Sequence, residues 1–241
     1  MLKTRIAFAF VLALTQAPLS AEPRTVNQNA HGWFNYFGDH PLGKSKWGVH
    51  LEAQYRRHDV LLSWQQLLVR PAMNYDVNPA LTLSAGYAFA RSYSFGNRSP
   101  ATPAQHEHRL WEQALWRYRA GPAALTSRFR MEQRFLGSAD PSAGYRYENR
   151  FRAWEQVTIP LGKRTYWTAY NEIWFYVKPY VARSVLDQNR AYAAMGIHLK
   201  PGWRLELGYM NQAVFQRSGS ALDLNHTMMV SIFSNARFKL P

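Results

Sequence analysis

The stretch Leu125–Phe135, which reads LTSRFRMEQRF, decides the fold class of the chain. Its residues alternate between a mostly apolar set and a mostly ionic set. The first set is Leu125, Ser127, Phe129, Met131, Gln133 and Phe135, and the second is Thr126, Arg128, Arg130, Glu132 and Arg134. A period of two residues is typical of a β-strand, whereas an amphipathic helix repeats every 3.6 residues. The stretch therefore predicts a strand with one apolar face and one charged face.

The same period recurs along most of the 241 residues, which predicts an all-β chain. Clusters of Gly, Pro, Asn and Asp, which favour turns, separate the alternating runs. We predict strands near Trp33–Phe37, Lys46–Arg57, Ser63–Tyr75, Leu81–Arg91, Glu107–Arg119, Leu125–Phe135, Tyr145–Leu161, Thr165–Val177, Gln188–Lys200, Trp203–Gln216 and Asn225–Leu240.

Two kinds of connection alternate between these strands. Short turns are predicted at Asp76–Pro79, Gly121–Pro122, Leu161–Lys163 and Lys200–Gly202, and longer polar loops at Ser92–Gln105, Gly137–Gly144, Lys178–Asp187 and Arg217–Leu224. Outer-membrane barrels have short periplasmic turns and longer extracellular loops. The alternation therefore predicts an antiparallel up-and-down transmembrane β-barrel.

A soluble periplasmic β-sandwich that binds a ligand is the alternative, because a sandwich shows the same alternation of apolar and polar residues. Three features favour the barrel: the Arg- and Glu-rich polar face, a last strand that alternates as far as Leu240, and aromatic residues near strand ends, as in membrane-interface girdles. The aromatic residues are Trp33, Phe34, Trp47, Trp167, Tyr180, Trp203, Phe215 and Phe238.

The number of strands follows from a parity argument. Single-chain bacterial barrels have even numbers of strands, whereas the eleven runs above are odd in number and would start the first strand on the outer side. One further strand within Glu22–His31 would remove both conflicts. We therefore expect about twelve strands, with ten as the second choice.

The first residues are expected to be a secretory signal peptide. A basic start with Lys3 and Arg5 precedes the apolar run Ile6–Leu14, and small residues end at Ala21. This order of basic, apolar and small residues is typical of exported proteins, and the apolar run is too short for a membrane-spanning helix. We expect a signal peptide at 1–21, a barrel domain at 22–241 and a location in the bacterial outer membrane of a Gram-negative cell.

The composition excludes several classes of function. The chain has no Cys, which excludes disulfides, thiolate metal sites, iron–sulfur clusters and cysteine nucleophiles. Its formal net charge is +14, but the arginines are dispersed at period two on an exported chain, so nucleic acid is not an expected partner. No motif indicates a cofactor, a metal ion or a catalytic residue.

Several short phrases resemble one known family in their order and spacing. They are QQLLVR at Gln65–Arg70, GYA at Gly86–Ala88, EHRLWEQ at Glu107–Gln113, RFRMEQRF at Arg128–Phe135, RFR at Arg150–Arg152, NE at Asn171–Glu172, DQNR at Asp187–Arg190 and ELGY at Glu206–Tyr209. The chain from about Trp33 to its end resembles the bacterial "domain of unknown function 2490" family of predicted outer-membrane proteins. The resemblance implies a β-barrel and no established activity.

If the apolar face meets lipid, the charged face lines the interior, where arginines outnumber glutamates. Buried charges are costly unless they are paired, so we expect carboxylates to lie between guanidinium groups of neighbouring strands. The residues predicted to form this interior ion network are Glu107, Arg109, Arg128, Arg130, Glu132, Arg134, Glu148, Arg150, Arg152, Glu172 and Arg190.

Two functions of such a barrel stay open: a structural barrel with a filled interior, and a narrow pore biased towards small anionic solutes. Expected partners are outer-membrane lipids, lipopolysaccharide near Arg91, Arg98 and Arg183, and the barrel-assembly machinery during insertion.

A lipid-modifying hydrolase of the lipase or deacylase type is the remaining alternative. Such an enzyme would need a Ser–His pair. The candidate residues are His226 beside Asn225, His106 and His108 beside Glu107, and Ser63 or Ser231, but no spacing links a Ser to a His.

Overall fold

A computed structural model describes residues 25–94, 103–138, 140–177, 185–217 and 219–238. This part of the chain contains eleven strands, numbered β1 to β11. A short 3-10 helix at Pro141–Ala143 precedes β7. The predicted signal peptide at 1–21 lies outside the described residues. The strands are β1 (Thr25–Pro41), β2 (Trp47–His58), β3 (Ser63–Asp76), β4 (Leu81–Ser92), β5 (Gln105–Ala120), β6 (Ala123–Gly137), β7 (Tyr145–Pro160), β8 (Thr165–Val177), β9 (Leu186–Lys200), β10 (Trp203–Phe215) and β11 (Ala221–Ser234).

The sheet closes on itself into a barrel in which sequential strands are antiparallel neighbours. The closing pair is parallel: β1 lies beside β11, from Thr25 opposite Ala221 to Gly38 opposite Ser234. An odd number of sequential antiparallel strands can close only through one parallel pair. The closed barrel confirms the predicted fold class in outline and excludes a two-sheet sandwich for the described residues.

The expectation of twelve strands, with ten as second choice, is wrong for the described chain. Most of the segment expected to hold an extra strand instead belongs to β1, which is one continuous strand from Thr25 to Pro41. Side-chain hydrogen bonds along the parallel seam support this pairing. Nδ2 of Asn27 donates to Asp223 at 2.9 Å, and Nδ2 of Asn29 donates to Asn225 at 2.9 Å. The polar start of β1 is therefore part of the barrel wall.

Short turns of two to five residues lie at the end of the barrel where the chain passes from β1 to β2. The three longest connections lie at the opposite end, together with the shorter β2–β3 and β10–β11 connections of four and five residues. We call the two ends the short-turn end and the long-loop end. The short turns join β1–β2, β3–β4, β5–β6, β7–β8 and β9–β10. Gly202 adopts a φ of 78°, a conformation that favours glycine, in the two-residue turn between β9 and β10. Thr25 begins β1 at the long-loop end, and β11 finishes at the short-turn end.

The last strand is shorter than the predicted Asn225–Leu240. It ends at Ser234, although the next residues stay beside the neighbouring segments: the N–H of Asn235 donates to the Gly202 carbonyl, and the N–H of Phe238 donates to the Pro41 carbonyl. Phe238 then forms an isolated bridge with Leu42 and stacks on His40.

Alternate side chains of each strand point inward and outward. Large apolar residues such as Leu110, Met195 and Leu207 are exposed on the outward face. That face also holds polar pairs, including Glu112 with Gln133 at 3.1 Å. Trp33, predicted as part of an aromatic girdle, lies inside at 2% exposure. No helix in the described ranges is long and apolar enough to cross a bilayer.

Small residues on the inner face of β4 make room for the large side chains of β5. Gly86 lies opposite Trp111, and Ala88 lies opposite Arg109. A Cβ on Gly86 would come within 2.3 Å of the Ala72 Cβ, so only glycine fits between these strands. This side of the barrel therefore accommodates bulky charged and aromatic groups in its interior.

Candidate functional site in the barrel interior

The interior divides into two regions along the barrel axis. Towards the long-loop end lies an ion layer, which consists of Arg70, Glu107, Arg109, Glu132, Arg134, Glu148, Arg150, Arg152 and Asp187. Towards the short-turn end lies a cavity of about 350 Å³. The ion layer comes from β3, β5, β6, β7 and β9, whereas strands from all round the barrel line the cavity.

Glu132 is the centre of the ion layer. Its carboxylate is 0% exposed, and four guanidinium groups lie within 4.0 Å of it. The N–O distances are 2.5 Å to Arg150, 2.8 Å to Arg152, 3.6 Å to Arg70 and 4.0 Å to Arg109. Charge-assisted hydrogen bonds of this kind compensate for the cost of removing the charges from water.

Two further glutamates extend the layer towards the long-loop end. Glu107 binds Arg109 through two hydrogen bonds of 2.7 and 2.8 Å and accepts a third, of 2.5 Å, from Arg134. Arg134 also contacts Glu148 at 3.3 Å, and Glu148 is 0% exposed. Arg217, which follows β10, donates to the same carboxylate at 2.6 Å. The carboxylates thus link arginines of several strands into one network.

Glu172 connects the ion layer to the cavity. Its carboxylate accepts hydrogen bonds of 2.7 Å from both Arg128 and Arg152 and lies 3.9 Å from Arg190. Arg152 in turn reaches Glu132, so the two glutamates share one guanidinium group. Arg128, Arg152, Glu172 and Arg190 also line the cavity.

Tryptophan rings fill the space between the buried arginines. Arg190 lies 3.9 Å and Arg152 4.0 Å from the centre of the Trp174 ring. In the same way Arg56 lies 3.8 Å from the centre of the Trp33 ring. A guanidinium group over an indole face gains cation–π attraction, which is stronger where water is excluded. These contacts allow the interior to hold more arginines than carboxylates.

The cavity has a cationic lining that carboxylates balance only in part. Among the described residues that line it, the arginines are Arg70, Arg117, Arg128, Arg130, Arg152, Arg190 and Arg204, and the carboxylates are Asp39, Glu52, Glu172 and Glu206. His50 lies between Asp39, at 2.8 Å, and Glu52, at 3.5 Å. The excess of positive charge makes the cavity attractive to anions.

All eleven residues predicted for the interior network are placed on the inner face. Ten of them take part in ion pairs with carboxylates or guanidinium groups of the set or its neighbours. Arg130 differs, because it donates instead to Gln113, at 3.0 and 2.6 Å.

Two further charged residues, Asp187 and Arg217, contact the ion network, although the sequence predicts both in loops. The register of β8 and β9 shifts between Trp174 and Phe175, and this irregularity lets Asp187 reach Arg150 at 3.1 Å. Only the phrase DQNR, which begins at Asp187, could have indicated this residue, because period two does not predict such a shift.

The hydrolase candidates are not brought together. His226 lies on the outward face and bonds to the hydroxyl of Tyr209 at 2.6 Å. His108 bonds to the hydroxyl of Tyr87, whereas Ser231 is buried on the inner face and accepts a hydrogen bond from Asn35. Within the described ranges no group of three or more His, Asp or Glu residues could hold a metal ion.

The family described as "Protein of unknown function (DUF2490)" matches residues 30–223. The chain belongs to this family. The match confirms the resemblance seen in the sequence phrases, and the DUF2490 description names no activity.

Among curated proteins, this DUF2490 chain is similar to an uncharacterized protein of Methylorubrum extorquens. The two are 26% identical over 242 residues, which cover 95% of this chain and 97% of the other. Two solved structures are also similar. The NanC porin is 10% identical with a TM-score of 0.47 and covers 80% of this chain and 92% of its own. The siderophore receptor PirA of Pseudomonas aeruginosa is 13% identical with a TM-score of 0.29 and covers 72% and 32%.

Proposed function

We propose that the protein is a structural β-barrel of the bacterial outer membrane whose interior is closed by the ion layer. The observation that carries this proposal is the burial of charges at the middle of the barrel. Glu132 and Glu148 are 0% exposed and Trp111 is 1% exposed, whereas side chains that line an open water-filled channel are wetted. A barrel of this size falls between small filled barrels and wide porins.

The outward face and the connections support a membrane location. Exposed apolar residues cover much of the outward face, and the three longest connections lie at one end, as in outer-membrane barrels. In this orientation the long-loop end faces the outside and the cavity faces the periplasm. Outer-membrane lipids, lipopolysaccharide and, during insertion, the barrel-assembly machinery are the proposed partners. Of the loop arginines expected near lipopolysaccharide, Arg98 and Arg183 lie outside the described residues.

A narrow anion-biased pore is the second candidate. The cationic lining of the cavity favours it, since positive charge in a confined passage attracts anions. It would require the ion layer to rearrange around Glu132.

Fractionation and bilayer recordings test the proposal. We expect the mature protein in the outer-membrane fraction, with a folded form whose gel migration shifts on boiling. In planar bilayers the folded protein should give no single-channel steps. A soluble protein without a heat shift would overturn the membrane location, and anion-selective steps would replace the closed barrel by the second candidate.

A variant designed to open the interior serves as the matched positive control. Trp174 and Arg190 contact each other across the boundary between the ion layer and the cavity, so Trp174→Ala combined with Arg190→Ala should remove much of this barrier. We expect conductance steps from this double variant only. Wild-type steps equal to those of the double variant would contradict a closed interior.

A further inference from the structure

Arg130 is a buried cation without a counter-ion. It is 1% exposed, and no carboxylate of the described residues lies within 4.0 Å of its guanidinium group. Nε and Nη2 donate to the Gln113 amide oxygen, and Nη1 has no hydrogen-bond acceptor. Its ring neighbour Trp111, at 4.4 Å, offers cation–π attraction but no acceptor atom. A buried, incompletely bonded cation is costly unless an anion completes its environment.

The cavity lies directly beside this cation and has two chemically different walls. Arg128 and Arg152 flank Arg130 on the cationic wall, and Nε of Arg128 also lacks an acceptor. A second part of the lining is aromatic: Tyr170 on β8 and Tyr192 on β9 lie two and three strands from β6, and their rings stack at 4.6 Å. An anionic group would be held on the first wall and an apolar body on the second.

The route into the cavity is also cationic. Arg117 on β5 and Arg204 on β10 line the cavity near the short-turn end and are more exposed than the arginines deeper inside. Arg117 donates to the Thr82 hydroxyl at 2.8 Å, and Arg204 lies 3.7 Å from Glu206. Exposed positive charge at the entrance attracts anions and increases their rate of entry.

We propose that this cavity binds a small organic anion, with its carboxylate or phosphate group against Arg130 and Arg128 and its apolar body against Tyr170 and Tyr192. The volume of about 350 Å³ limits the ligand to a small molecule. The assignment of the periplasm as the source of the ligand rests on the proposed orientation; the binding itself does not.

Titration calorimetry on the full barrel, refolded in detergent, tests the site with four compounds. Benzoate and phenyl phosphate carry an anionic group on an apolar ring, inorganic phosphate lacks the ring, and benzamide has the ring without the charge. We expect one of the two aromatic anions to bind at least about ten-fold more tightly than benzamide and inorganic phosphate. The tighter aromatic anion identifies the carboxylate or the phosphate as the preferred group. Equal affinity for benzamide, or no binding by either aromatic anion, would overturn the proposal.

Three variants locate the binding. Arg130→Gln should weaken it at least about ten-fold, because it removes the cation. Thr126→Phe should also weaken binding, because the larger side chain fills part of the cavity. It changes no buried charge and therefore tests the site even if Arg130→Gln fails to fold. Arg57→Gln is the matched control and should leave affinity unchanged, because Arg57 packs against the exposed ring of Trp64 outside the barrel. Unchanged binding in folded Arg130→Gln or Thr126→Phe would contradict the site. If the barrel does not conduct and does not bind the aromatic anions, only the proposed binding site is refuted. If the barrel both conducts and binds them, only the proposed closed interior is refuted.

Discussion

The ion layer and the cationic wall of the cavity are built from the same strands but differ in how their charges are paired. Glu132 and Arg130 lie two residues apart on β6, and both are almost fully buried. Glu132 has four guanidinium groups within 4.0 Å, whereas Arg130 has only the amide of Gln113 as an acceptor. The ratio of carboxylates to guanidinium groups therefore decides whether the charges of a region pair with one another or leave one charge available to a ligand.

The largest expected effect tests the ion layer, where the charges are paired with one another. Glu132→Ala would leave Arg150 and Arg152 without their shared acceptor, so we expect a loss of about 3–5 kcal/mol in the free energy of unfolding. Urea unfolding of the refolded barrel would measure it. Glu112→Ala is the control, because Glu112 lies on the outward face with one amide partner, Gln133. Equal losses in the two variants would show that the ion layer does not stabilise the interior.

A smaller effect is expected near the opening of the cavity. Glu206 accepts hydrogen bonds from the hydroxyls of Tyr166, at 2.8 Å, and Tyr192, at 3.3 Å, while Arg204 stays 3.7 Å away. Glu206→Gln keeps one acceptor oxygen but replaces the other with an NH2 group that cannot accept, so it removes the charge and one of the two hydroxyl hydrogen bonds. We expect a loss of about 1–2 kcal/mol in the free energy of unfolding.

A double-mutant cycle with Tyr166→Phe checks this assignment by urea unfolding. Since Glu206 and Tyr166 share one hydrogen bond, the double variant should lose less stability than the sum of the single losses. If the two stability losses are strictly additive, the hydrogen bond between Glu206 and Tyr166 contributes nothing to stability. The cavity and the ion layer would then differ less than their contacts indicate.

The sequence allowed the barrel and the inward face of most strands to be predicted, because period two persists in strands such as β6 and β7. It did not allow the closure to be predicted. The start of β1, TVNQNAHG, has no apolar alternation, since its inward asparagines pair with polar residues of β11. Alternation of apolar and polar residues therefore does not predict a strand whose inward side chains pair with polar residues of the neighbouring strand.

The interior could be predicted residue by residue but not contact by contact. The sequence placed Arg128, Arg130 and Glu172 on one face, yet it could not distinguish the arginines that contact a carboxylate from those, such as Arg130, that do not. That difference depends on register across strands: Glu132 lies opposite Arg150, whereas Arg130 lies opposite Arg152, which reaches past it to Glu132 and Glu172. Pairing of charges between strands is set by closure of the whole barrel, which no single strand encodes.

The smallest expected effect lies at the edge of the ion layer near the long-loop end. It tests how far the stabilising ion pairs extend towards the loops. Arg146 and Arg134 both contact Glu148, at 2.9 and 3.3 Å, but the side chain of Arg146 is 56% exposed and that of Arg134 only 9%. Exposed ion pairs contribute little because water and salt screen them, so Arg146→Gln should change the free energy of unfolding by less than about 1 kcal/mol. Arg134→Gln should cost several times more, since it leaves Glu107 and Glu148 each short of a buried partner. Urea unfolding at low and high salt would measure both variants, and only the small loss in Arg146→Gln should shrink further as salt is added. Equal losses would place the boundary of the ion layer beyond Arg146, at the loops themselves.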